Sequence, residues 1–130
     1  MELFAFRKSG ELIDTVVFAL HDAQRLHEAD AVHRLRVSIR RLQQALRVFR
    51  QYLKGPGVKR VRTQLKKAMQ AAGDLRNQDI AIELIEKSGK DFPEIRAART
   101  ASKKAFRATL HQITKKDLGV KWRAALGLPS

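Results

Sequence analysis

His33-Arg34-Leu35-Arg36-Val37-Ser38-Ile39-Arg40-Arg41-Leu42, continuing through Gln43-Gln44-Ala45-Leu46-Arg47-Val48-Phe49, is the stretch that decides how this chain folds. Plotted at about 100° per residue from His33, the side chains of Leu35, Ile39, Leu42, Leu46, Phe49 and Leu53 fall between about 160° and 240°. That is one apolar stripe of a helix. His33, Arg36, Arg40 and Arg47 fall between about 300° and 360°, a separate narrow ridge running about 21 Å along the same helix. Like charges three and four residues apart repel, so the ridge is mildly unfavourable alone and a bound anion reverses the sign. Arginine suits such a site because its planar fork donates two hydrogen bonds to one oxyanion and keeps its charge.

Outward from this helix the pattern stays helical. Leu12, Ile13, Val16, Leu20 and Ala23 predict a helix over about 11–27. The signature helix is expected over about 30–53, closed by Lys54-Gly55-Pro56-Gly57. Val58, Val61, Leu65, Ala68, Met69 and Ala72, then Ile80, Ala81, Leu84 and Ile85, predict a helix over about 58–87 that Gly73 either ends or kinks. Pro93 opens a last helix over about 93–116, with Ile95, Ala98, Ala105, Phe106, Thr109, Leu110 and Ile113 as apolar positions. A tail over 117–130 carries the single tryptophan, Trp122, expected to pack back on the bundle or on a partner. No run of alternating β-branched residues appears. The expected fold class is all-α, an antiparallel four-helix bundle in a single domain spanning 1–130.

The charge is segregated. Residues 31–73 contain no carboxylate and twelve Lys or Arg, whereas residues 1–30 and 74–94 each carry six acids against three bases. Residues 95–116 are again free of acids, and the formal net charge of the whole chain is +14. Solubility calls for interspersed signs, so an uncompensated block points to an external polyanion. Two further ridges repeat the helical spacing: Lys59, Arg62 and Lys66 on the third helix, and Arg96, Arg99, Lys103 and Arg107 on the last. Facing one groove, the ridges would form a long cationic trough.

The chain has 130 residues, 44% of them apolar, which suffices for a core and argues against disorder. It has no cysteine, which excludes disulfides, zinc–cysteine sites and cysteine nucleophiles. The apolar run Val16-Val17-Phe18-Ala19-Leu20 is too short for a membrane span, and no basic-then-apolar leader opens the sequence, so the expected location is the cytoplasm. His21, His27 and His111 have no carboxylate spacing that suggests a metal site. The Ser, Thr and carboxylate residues form no nucleophilic or acid–base arrangement, so neither catalysis nor a cofactor is expected.

The stretch from His33 to Leu42, with Leu46-Arg47-Val48-Phe49, resembles the signature helix of the CHAD (conserved histidine α-helical domain) family. Gly73-Asp74-Leu75-Arg76-Asn77-Gln78-Asp79-Ile80 is similar to that family's second motif, glycine-x-x-Arg-Asp-x-Asp-Val. The resemblance implies a helical domain that binds inorganic polyphosphate through a basic surface. By motif position it implies phosphate contacts from His33, Arg36, Arg40, Arg41 and Arg47, with Lys66 and Arg76 as further basic members. Lys59 and Arg62 join them by ridge spacing, and Asp79 is implied to orient a basic neighbour. Arg41 stands about 80° from His33, off the ridge, and only the motif argues for it. Arg34 and Arg50 are expected to point away.

Gln43 stands where the family usually has arginine, and Asn77 where it has aspartate. Similar domains are about twice as long, with two bundles around a basic channel. This chain therefore resembles one half, either as a short form with an open half-channel or as one of two copies that rebuild the channel as a homodimer. The resemblance also extends the cytoplasmic expectation to polyphosphate granules. Two other classes compete: a nucleic-acid-binding helical protein, favoured by a sequence pI near 11.0, and a histidine phosphotransfer domain centred on His33. The expected mechanism is electrostatic capture, with guanidinium forks replacing the counterions of a phosphate chain, and therefore a steep loss of affinity with salt.

Overall fold

The computed structural model describes residues 1–26, 28–115 and 117–129. His27 and Lys116, at which two predicted helices end, and Ser130 lie outside the described residues. Five α-helices follow in order: α1 (Glu2–Leu26), α2 (Ala29–Val48), α3 (Gly55–Ser88), α4 (Pro93–Ile113) and α5 (Leu118–Leu126), with a 3-10 turn at Arg50–Tyr52 between α2 and α3. The described residues contain no strand, as expected, but the helix count corrects the sequence reading. Within the tail expected over 117–130, Leu118–Leu126 forms a fifth helix, α5.

The apolar stripe of α2 is buried as expected. Leu35, Ile39 and Leu42 are fully enclosed and Leu46 and Leu53 are buried, with Phe49 half-buried at the end. They meet Ile13, Val16 and Leu20 of α1, Val61, Leu65, Ala68, Ala72 and Leu75 of α3, and Phe106 and Leu110 of α4. Fully burying a side chain of this size contributes roughly 1.5–3 kcal/mol, so this stripe holds the helices together against the repulsion among their cations.

Three boundaries differ from expectation. α1 starts nine residues earlier than predicted, at Glu2. Ser9 and Gly10, in the added turns, are both buried within the helix. Gly10 is tolerated there because Arg123 of α5 lies against it: Arg123 Nη2 donates to the Gly10 carbonyl at 3.1 Å and to Asp14 Oδ2 at 3.0 Å. The hydrogen bond to Asp14 raises the Arg123 pKa above its usual value, with the carboxylate's charge acting in the same direction against burial. α2 ends at Val48, and the last turn before Leu53 tightens to a 3-10 turn. α3 runs straight through Gly73, where an added Cβ would meet nothing within 4 Å. It stops at Gly89, which takes the left-handed conformation (φ 73°) that glycine adopts without a Cβ penalty.

The α4 stripe is only partly buried. Phe106, Leu110 and Ile113 are enclosed, but Ile95, Ala98 and Thr109 are half-buried and Ala105 is exposed. In the matching half of α3, Ile80 and Leu84 are exposed and Ala81 and Ile85 half-buried. The reason is length. At about 1.5 Å per residue, the 34 residues of α3 span about 51 Å and the 20 of α2 only about 30 Å. The distal part of the α3–α4 hairpin therefore overruns the body and has only itself to pack against.

α5 closes the opposite end. Leu118, Trp122 and Leu126 are buried, the Trp122 indole N–H donates to Gln64 Oε1, and the Lys54 N–H donates to the Leu126 carbonyl at 3.1 Å. The backbones of α3 and α5 cross at Gly57, where any Cβ would collide with the carbonyl of Ala125. Gly57→Ala is thus expected to lower the midpoint of thermal unfolding by roughly 5–10 °C, whereas Gly73→Ala should raise it slightly by removing helix-interior glycine. Circular dichroism melts of the two variants beside the parent check this. Equal melting points would show that the crossing at Gly57 is loose.

Candidate functional site: a cationic trough between α2 and α3

α1 packs closely on α2, and α3 on α4, but the seam between α2 and α3 is less extensively packed. An open trough of about 710 Å³ lies along it, lined by Gln43 and Arg50 on one side and by Gly55, Val58, Lys59, Arg62, Thr63 and Lys66 on the other. The α3 ridge lines it directly. Gln43 is ten residues beyond His33, at about 280°, next to the arc of the α2 ridge. His33, Arg36, Arg40 and Arg47 do not line the trough themselves; by angle they follow the outer edge of α2 beside Gln43.

His33, Arg40 and Arg47 are exposed, as are Lys59, Arg62 and Lys66. Arg36 is half-buried, and its Nε is enclosed without a hydrogen-bond partner. Arg41 is exposed and lies off the rim. Arg76 is exposed on α3, about three helical turns beyond Lys66 at the end of the trough. Asp79 is half-buried and accepts a hydrogen bond from Arg99 Nε of α4 at 2.6 Å.

Two expectations change. Arg50, predicted to point away, lines the trough: at about 260° it stands within about 20° of Gln43, on the side where α3 runs beside α2. The α4 ridge does not join it. α4 packs on α3 and α1, with no comparable packing on α2, and Arg96 and Arg99 are ion-paired with Asp91 (2.9 Å) and Asp79. Arg34, off the ridge, pairs with Asp22 of α1 at 3.0 Å.

The pattern of ion pairs is the decisive electrostatic feature. Of the twelve cations in residues 31–73, only Arg34 has a carboxylate within 4.0 Å among the described residues. Carboxylates on the other helices do pair, with Arg25, Arg34, Arg96, Arg99 and Arg123. The rim cations thus sit at helical neighbour spacing with water and mobile ions as their only counter-charge. Such a trough offers an anion a series of forked donors along a line. No aromatic side chain lines it, and no three potential metal ligands gather anywhere among the described residues. No helix among them is long and apolar enough to cross a membrane.

Comparison with known families places the chain. The model of the CHAD domain matches residues 14–129, nearly the whole sequence, and the chain belongs to the CHAD domain family. Neither the curated proteins nor the solved structures returned a match.

Unscreened repulsion at the trough has a cost that stability measurements can read. The triple variant Arg40→Gln, Arg62→Gln, Lys66→Gln is expected to melt roughly 2–5 °C above the parent at low ionic strength. The gain should vanish at about 0.5 M salt, where the Debye length is only a few ångströms. A variant less stable than the parent at low salt would mean that these side chains make stabilising contacts instead.

Proposed function

We propose that this CHAD domain binds inorganic polyphosphate, without catalysis, along the α2–α3 trough. The observation that carries the reading is the line of cations on two adjacent helices of which only Arg34 meets a carboxylate among the described residues. What the family resemblance implies for His33, Arg36, Arg40, Arg41 and Arg47 supports the same surface, although Arg41 faces away from the rim. Arg36, Arg40, Arg47, Arg62 and Lys66 would displace the condensed counterions of the phosphate chain, and His33 would donate at one end of the line. Arg76 would extend the same path beyond the trough, and Asp79 would serve by holding Arg99 in place.

A linear polymer suits the site better than a single phosphate, since the α2 ridge extends about 21 Å and each added contact along one chain is effectively intramolecular. The bare inorganic chain also suits it better than nucleic acid, because the trough has no aromatic platform on which bases would stack. Phosphotransfer at His33 has no supporting feature beyond the exposure of that residue. Association with polyphosphate granules in the cytoplasm follows from the same proposal.

Calorimetric titration tests it, with long-chain polyphosphate, tripolyphosphate and a single-stranded oligonucleotide compared at equal phosphate concentration and near-physiological salt. Long polyphosphate should bind at least tenfold more tightly than either competitor, and its affinity should fall steeply as salt rises. Arg36→Ala with Arg40→Ala should weaken binding roughly tenfold to a hundredfold at unchanged helicity. Arg34→Ala, which removes a cation already held by Asp22, should change it less than about threefold. Oligonucleotide binding as tight as polyphosphate, or a double variant with parental affinity, would refute the reading.

A further inference from the structure

We propose that the distal half of the α3–α4 hairpin is a self-association surface on which a second copy of this chain docks antiparallel. This inference stands apart from the polyphosphate reading. Burial stops abruptly along the hairpin: among the described residues none between Leu75 and Phe106 is buried. In that interval Ile80, Leu84 and Phe92 are 40%, 63% and 38% exposed, flanked by the half-buried Ala81 and Ile85. Ile80 and Leu84 lie eighteen residues beyond Arg62 and Lys66, five full helical turns, and so occupy the same face of α3. That face is cationic where α2 runs beside it and turns apolar beyond the N-terminal end of α2. A two-helix hairpin cannot enclose its own apolar face, whereas two hairpins laid together form a four-helix unit that can.

Charge selects the occupant and its direction. The tip, residues 83–94, carries Glu83, Glu86, Asp91 and Glu94 against Lys87 and Lys90, a net of −2, and of these only Asp91 makes an ion pair among the described residues, with Arg96. Nearer the body, α4 carries Lys103, Lys104 and Arg107, none of them ion-paired among the described residues. Within one chain these groups are too far apart along the hairpin to meet, since Glu94 and Lys103 alone are separated by about 13 Å of helix. An antiparallel second copy brings each acidic tip beside the other's basic root, and two-fold symmetry makes the contact twice. A parallel copy would stack like on like. The overrun is about 21 Å long and two helices wide, near the lower limit of a specific interface. With net charges of +14 opposing each other, the dimer should be weak, with a dissociation constant of order 1–100 μM.

Sedimentation equilibrium of the whole chain, without polyanion and at about 0.3 M salt to screen net repulsion, tests this. The parent mass should rise from 14.8 kDa toward twice that value across this concentration range. Leu84→Asp, at an exposed position, should stay monomeric with unchanged helicity. Glu83→Lys with Glu86→Lys should also be monomeric, as should Lys103→Glu with Lys104→Glu, while an equimolar mixture of these two double variants should recover the dimer. A parent that remains monomeric, or a dimer that survives Leu84→Asp, overturns the surface. Failure of the mixture to dimerise, where the parent does, overturns the antiparallel arrangement.

Discussion

Cations on two neighbouring helices are held side by side along the α2–α3 seam with no carboxylate between them. That repulsion is the constraint around which the rest of the molecule is organised. The fold can hold it only because each helix buries a strong apolar stripe on the side away from the charges. Leu35, Ile39, Leu42 and Leu46 on α2, and Val61, Leu65 and Ala68 on α3, fix the two backbones from behind, and the charged rims have no freedom to splay apart. The carboxylates that do pair with arginines mostly meet cations outside the trough. Asp22 takes Arg34 and Arg25, Asp14 takes Arg123, and Asp79 takes Arg99. Each of these pairs lies outside the trough, so the trough keeps its field.

α5 matters to the site through its packing on α3 and α1. It crosses the first turn of α3 at Gly57 and receives the Lys54 N–H at the Leu126 carbonyl. It is also tied to α1 through Arg123 at Gly10 and Asp14. The start of α3, from which Lys59 and Arg62 project, is therefore positioned by a nine-residue helix more than fifty residues downstream in the chain. Loss of this latch would loosen one wall of the trough while leaving its charges intact.

Much of this was legible in the sequence, for identifiable reasons. The α2 stripe and ridge were readable because a single unbroken helix keeps its 100° register for about five turns, so angle alone separates core from rim. The absence of acids from residues 31–73 likewise translated directly into unpaired cations, since a carboxylate from another helix reached only Arg34. Arg50, about 20° from Gln43 by the same angles, is recognisable as a trough residue only once α3 is seen to run beside that arc, a tertiary fact. The course of α3 through Gly73 was undecidable locally: a mid-helix glycine costs about 1 kcal/mol, and burial of Ala72 and Leu75 beside it, a tertiary effect, outweighs that. α5 was hidden because nine residues with Leu118, Trp122 and Leu126 at four-residue steps are too short a pattern to stand out. The exposure of Ile80 and Leu84 depends on α3 outrunning α2, which no pattern within α3 records.

The account rests on the unpaired rim cations being the ones that meet the anion, and nuclear magnetic resonance of the arginine side chains reads this residue by residue. Nε–Hε resonances would be followed as long-chain polyphosphate is added to the ¹⁵N-labelled chain. Arg36, Arg40, Arg47 and Arg62 should shift early and saturate together, while Arg34, Arg96, Arg99 and Arg123, already held by carboxylates, should stay in place. Equal shifts across all of these arginines, or shifts confined to α4, would contradict the account.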